Sequence, residues 1–122
     1  MEEHIALAAD VHSPSEARAW VASRCGSDPD TIFAAELLVS ELVSNAVIHA
    51  KSDMVLSLSH DPGSLHVEVE DHGADRPVVH TRTGPCDPIF GRGLDIVSAL
   101  ASSWGVRPTS GGKAVWFELP IG

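Results

Sequence analysis

Glu41, Asn45 and His49 recur at every fourth position of SELVSNAVIHA, residues 40–50. On a helix, positions four apart lie about 40° apart in projection, so the three side chains form one slowly turning polar line. A carboxylate one turn from an amide oxygen can orient water or hold a hard cation, which asks for oxygen ligands, and the glutamate can also accept a proton from an attacking hydroxyl. Leu38 and Leu42 flank the line, so full exposure of all three is not expected. A plainer reading fits the same spacing, with Asn45 a satisfied internal amide and His49 a cap near the helix end, where the helix dipole favours positive charge.

Two further stretches carry chemistry. In VEVEDHG, residues 67–73, strand parity puts Asp71 on the face of Leu65, Val67 and Val69. A carboxylate at the inner end of an apolar strand is costly unless it is paired or meets a ligand, although it can also simply cap the loop that follows. Gly73, two residues on, permits a turn or the close approach of a flat ligand. In FGRGL, residues 90–94, glycines on both sides of Arg92 open a helix and offer exposed amides at its positive end, a cradle for phosphate. Together the three stretches supply oxygens for a cation, a polar acceptor in an apolar pocket, and amides for an anion.

The elements that must position these residues are legible from caps and periodicity. His4–Ala9 reads as a short edge strand. Ser13, Pro14 and Glu16 suggest a capping box opening a helix from about Pro14 to Arg24, with Ala17, Trp20 and Val21 packed and Gly26 ending it. Asp28-Pro29 opens a second, longer helix over Thr31–His49, apolar over more than half its circumference. From Asp53 to Asp71 the period changes to two around the turn Asp61-Pro62-Gly63-Ser64, which predicts an antiparallel hairpin with one wet face. Residues 72–92 lose all periodicity, as a functional lid would. A short helix is expected over LDIVSALAS, residues 94–102. A strand over Trp104–Pro108, a turn at SGGK and a closing strand AVWFELP, with Val115, Phe117 and Leu119 inward, complete the chain. The fold class is therefore α/β, a two-layer sandwich whose mostly antiparallel mixed sheet is covered on one face by helices.

Size and charge bound the partners. At 122 residues the chain is expected to be one domain, 1–122, and its 43 % apolar and 20 % charged residues are those of a folded protein. No stretch approaches roughly 20 uninterrupted apolar residues, and the N-terminus is acidic, so neither a membrane span nor an export signal is expected and a cytoplasmic location is. A net charge of −9 opposes direct nucleic-acid binding and favours protein or small-molecule partners. Cys25 and Cys86 form no disulfide or metal pattern, and the seven histidines show no zinc-like clustering.

SELVSNAVIHA resembles the N box of the GHKL ATPase superfamily, VEVEDHG its first glycine box and GRGLDIV its second, in an order that matches the Bergerat, or histidine-kinase-like, ATP-binding fold over nearly the whole chain. Within that superfamily the SExxxNAxxHA pattern looks like the small anti-sigma factor serine kinases of the SpoIIAB and RsbW type. The resemblance implies ATP and Mg²⁺ as ligands, with Asn45 the amide oxygen on the metal and Glu41 the catalytic base for a substrate serine. It gives Asp71 the adenine amino group and Gly73 room for the base. Gly91, Arg92, Gly93 and Leu94 take the phosphates, and His49 gives structural support. It implies γ-phosphoryl transfer to a serine of a STAS-domain anti-anti-sigma partner, sequestration of a sigma factor, and a homodimer for which the first strand could pair across a two-fold axis. The chain departs from the full DxGxG form, since DHGAD places Asp75 at the second glycine, and TRTG at 81–84 stands where the sporulation kinases carry TTKP. These departures motivate an alternative, a non-catalytic or weakly nucleotide-binding regulatory module that acts by docking proteins.

Overall fold

The computed structural model describes residues 2–72 and 101–121, and of residues 49 and 50 the backbone alone. The aperiodic stretch 73–92 and residues 94–100 of the expected third helix lie outside the described residues. The described chain runs β1 (Glu2–Leu7), α1 (Ser13–Ala22), α2 (Pro29–Asn45), a wider π-helical turn (Ala46–Ala50), β2 (Met54–Asp61), β3 (Ser64–Asp71), β4 (Ser103–Thr109) and β5 (Gly112–Pro120). The strands form one sheet in the order β1-β2-β3-β5-β4, and every ladder between them is antiparallel. Among the described strands the first takes an outer position, as its sequence suggests, with β2 beside it.

Register explains which face is buried. Ile5, Leu56, Val69, Val115 and Val106 are consecutive cross-strand partners and form one inner row; Leu58, Val67, Phe117 and Trp104 form the next. Alternate residues of β2 and β3, including Met54, Leu56, Leu58, Leu65, Val67 and Val69, are buried, as a period of two requires when one face of a sheet is covered. The cover is α2, which packs against β3 and β5, with α1 packed on α2. Pro62-Gly63 makes the two-residue hairpin turn, and Gly63 takes φ 78°, a conformation that side chains with a Cβ disfavour.

The two helix starts differ. Asp28 caps α2 through its carboxylate, which accepts the Thr31 N–H at 3.0 Å and the Thr31 hydroxyl at 2.9 Å, with Pro29 at the first helical position. The capping box expected at Ser13 is not formed. Ser13 is already inside α1 and buried, and its hydroxyl donates to the Ala8 carbonyl at 2.7 Å, while Asp10 accepts the His12 N–H at 2.7 Å. The Ala8 carbonyl, just beyond the end of β1, takes the Ser13 hydroxyl that would otherwise have capped the helix. Cys25 behaves as an ordinary packed residue, buried at the end of α1 with its thiol pKa raised by that burial; Cys86 lies outside the described residues.

Pro29–Ile48 is a 20-residue helical stretch of mean hydropathy 1.6, long and apolar enough by composition to cross a bilayer. Polar residues interrupt it at Glu36, Ser40, Glu41, Ser44 and Asn45. Ala35, Leu38, Val39, Leu42 and Val43 are buried in the core, the behaviour of a central helix.

On the opposite face of the sheet polar side chains stand among apolar ones such as Trp116 and Ala114 and pair across strands. His66 Nδ1 donates to Glu118 at 3.0 Å, Ser103 donates to the same carboxylate at 3.1 Å, and Arg107 pairs with Glu68. The His66 hydrogen bond, aided by Ser103, holds the Glu118 carboxyl below its ordinary value. A group with a lower pKa in the folded state stabilises it above the unfolded value, roughly 4.3, and that contribution fades as pH falls through the folded value. For so open a pair it is below about 1 kcal/mol after solvent screening. Urea titrations are therefore expected to find Glu118→Gln slightly less stable than wild type at pH 7, with the gap narrowing as pH falls below the unfolded value; a gap that does not narrow would refute the assignment.

Candidate functional site

The inner apolar rows stop at one end of the sheet. There the next row reads Leu7, Met54, Asp71 and Lys113 as successive cross-strand partners. Asp71 is 2 % exposed, so the cost anticipated for a carboxylate at this place is real, and it is met by the opposite strand. Lys113 Nζ lies 2.8 Å from Asp71 Oδ2, and its own side chain is only 13 % exposed. Asp71 makes further interactions besides this one.

Two local features fix that row. His72 N–H donates to the Ser52 hydroxyl at 2.9 Å, which ties the exit of β3 to the entry of β2. Gly112 passes so close to the Asp71 main chain that a Cβ there would run into the Asp71 carbonyl oxygen and the His72 Cα. Glycine is required at residue 112 because backbone, which cannot move aside as a flexible side chain can, occupies the space.

Asp71 and Lys113 open on a pocket of about 390 Å³, counting solvent at its mouth. Leu42, Asn45 and Ala46 from the helix, Val69 from β3, and Val106 and Val115 from β4 and β5 complete its lining. A mostly apolar wall with a few convergent polar groups is the usual character of a small-molecule site. The polar groups are an amide, a carboxylate and an ammonium, which can address hydrogen-bond donors and acceptors on the same ligand.

Of the residues singled out from sequence, Asn45 and Asp71 come together here from positions 26 residues apart in the chain. Asn45 is the last residue of regular α-helix before the π-helical turn, whose final bond is Lys51 N–H to Ala46 O at 3.0 Å. Such widened turns are frequent where a helix carries a functional group. The regular spacing behind the Glu41–Asn45–His49 line thus ends at Asn45, and the His49 side chain lies outside the described residues. Glu41 is half-buried one turn before Asn45 and is not part of the pocket lining. Gly73, Gly91, Arg92, Gly93 and Leu94 lie outside the described residues. No group of three or more His, Cys, Asp or Glu side chains among the described residues is arranged to hold a metal ion; a cation here would take Asn45 together with oxygens of a bound ligand.

The turn composition of SGGK hides Lys113 in the sequence. The signal was present: counting back by twos from Leu119, Phe117 and Val115 reaches Lys113 on the same inward face.

The family described as the histidine kinase-like ATPase domain matches residues 7–119. The fold is similar to a crystal structure of the RsbU and RsbW domains of a Mycobacterium tuberculosis protein, with TM-score 0.73 and 22 % identity; the match covers 98 % of this chain and 32 % of that one. The chain thus spans about a third of the length of that solved chain. No curated protein matches the sequence.

Gly112→Ala is expected to destabilise the protein by about 1–3 kcal/mol through forced separation of β5 from the Asp71 backbone. Chemical denaturation would measure it. A variant as stable as wild type would show that the close approach is dispensable.

Proposed function

The chain belongs to the histidine kinase-like ATPase domain family, and from that premise we propose that it is an Mg²⁺- and ATP-dependent serine kinase of the SpoIIAB and RsbW anti-sigma type. Its substrate is a serine of a STAS-domain anti-anti-sigma protein, and it also sequesters a sigma factor. The observation that carries this reading is the convergence of Asn45 with the Asp71–Lys113 pair on one apolar pocket. On the same reading residues 1–122 act as one ATP-binding domain, located in the cytoplasm, and pair as a homodimer through β1.

ATP supplies an electrophilic γ-phosphorus and, with Mg²⁺, oxygens that complete the metal's shell. Val69, Val106 and Val115 exclude water around the base, and Asp71 accepts from its exocyclic amino group. Asn45 presents its amide oxygen to the metal. With ATP bound, Glu41 would take the proton of the substrate serine hydroxyl as that oxygen bonds to the γ-phosphorus and the bond from that phosphorus to the β–γ bridging oxygen breaks, ADP leaving with the electron pair; its half-buried place one turn from Asn45 puts it on the same side of α2. Gly73 gives the base room, while Gly91, Arg92, Gly93 and Leu94 take the phosphates, roles that rest on sequence.

A second reading, a regulatory module that docks proteins with little or no phosphoryl transfer, is favoured by Asp75, which places a carboxylate where the family's glycine box has its second glycine. The two separate on turnover: labelled phosphate transferred to a STAS partner supports the kinase, and partner binding without transfer supports the module.

Calorimetry is expected to show saturable ATP binding strengthened by Mg²⁺. Asn45→Ala should lose the Mg²⁺ dependence and weaken binding by at least about tenfold, roughly 1.4 kcal/mol; unchanged Mg²⁺ dependence would remove Asn45 from the metal. Glu41→Ala should bind ATP normally yet transfer phosphate about 10²–10⁴-fold more slowly. Transfer at the wild-type rate would show that another group is the base.

A further inference from the structure

Lys113 is the one cationic side chain in the described lining of the pocket, and it is held there. Its ammonium carries three N–H donors, and among the described residues its one hydrogen bond is to Asp71 Oδ2 at 2.8 Å. A buried carboxylate and a buried ammonium side by side, on cross-strand partners of one inner row, make a fixed acceptor next to a fixed donor. A ligand edge complementary to them has a donor and an acceptor on neighbouring atoms.

We infer that Lys113 is a base-reading residue: its ammonium donates to the ring nitrogen N1 of adenine while Asp71 accepts from the adjacent 6-amino group. The inference rests on the reading of the pocket as an adenine-nucleotide site and goes beyond it by naming the residue that recognises the ring. Adenine's edge asks for one acceptor and one donor. In the same pose guanine turns O6, an acceptor, toward the Asp71 carboxylate and N1–H, a donor, toward the Lys113 ammonium, so both contacts are reversed. The pair therefore suits adenine over guanine. Both side chains are largely withdrawn from solvent, so a lost or mismatched hydrogen bond is not replaced cheaply by water.

The test compares ATP, 1-deaza-ATP and GTP by calorimetry on the full chain at fixed Mg²⁺. The deaza analogue keeps the amino group and the triphosphate and replaces the N1 acceptor with C–H. Wild type is expected to bind it about 10- to 100-fold more weakly than ATP, the loss of one hydrogen bond to a charged donor, and to bind GTP more weakly than ATP as well. Lys113→Met, checked for folding by circular dichroism, should bind ATP and 1-deaza-ATP with equal affinity. Should that variant fail to fold because Asp71 loses its partner, the wild-type comparison still decides. Equal affinities of wild type for ATP and its deaza analogue overturn the inference and leave the nucleotide site standing. Tighter GTP than ATP, or tighter ATP binding by Lys113→Met than by wild type, also overturns it, the latter showing Lys113 to be a block rather than a reader. No binding of ATP to wild type overturns both readings together.

Discussion

The Asp71–Lys113 ion pair is the constraint around which the pocket end of the molecule is arranged. The adjoining inner row, Ile5, Leu56, Val69, Val115 and Val106, is apolar throughout, and at this row a buried carboxylate stands where hydrocarbon would pack. A carboxylate withdrawn this far from water needs a counter-charge, and β5 supplies it from the cross-strand position. That requirement fixes more than one side chain. It favours the register of β5 on β3 that sets Lys113 opposite Asp71, and it leaves a polar end to a groove whose other walls, Asn45 apart, are valine, leucine and alanine.

Helix α2 serves two demands that conflict along its length. Ala35, Leu38, Val39, Leu42 and Val43 bury its core-facing side, and those contacts hold α2 against β3 and β5. An amide at Asn45 would be out of place on that side, and it is tolerated because the helix there overhangs the pocket and Asn45 remains only half-buried. The change to a π-helical turn directly after Asn45, closed by Lys51 in a left-handed conformation, ends the regular spacing at the point where packing gives way to the site. Packing and presentation are thus separated along the helix axis, with Leu42 and Ala46 contributing to both.

Much of this was legible before any coordinates. Periodicity placed the hairpin, Asp28-Pro29 placed the start of α2, and strand parity alone put Asp71 inward and demanded a partner for it. Those inferences succeed because they rest on short-range geometry, which the chain obeys locally. The failures share a cause. The neighbours of Ser13 in sequence allow a cap, yet its hydroxyl answers the carbonyl of Ala8, whose need arises only once β1 and α1 are brought together. SGGK has turn composition through Lys113, whereas Ser110 and Gly111 make the turn and β5 begins at Gly112. The partner that Asp71 requires sits 42 residues away, and no local pattern states that distance.

Stability gives little reason for an ion pair in this row. Replacing a buried pair with apolar residues of similar volume is often neutral or stabilising by about 1–4 kcal/mol, since hydrocarbon carries no desolvation cost. The row on its other side, Val69 with Val115, demonstrates that this sheet accommodates such a pairing one step away. An apolar row at Asp71 and Lys113 would also relieve Gly112 of no duty, because its constraint comes from main chain. What apolar residues could not do is offer a donor and an acceptor to an occupant of the pocket. The desolvation cost of the pair is thereby confined to the one row where a ligand with a matching edge can repay it.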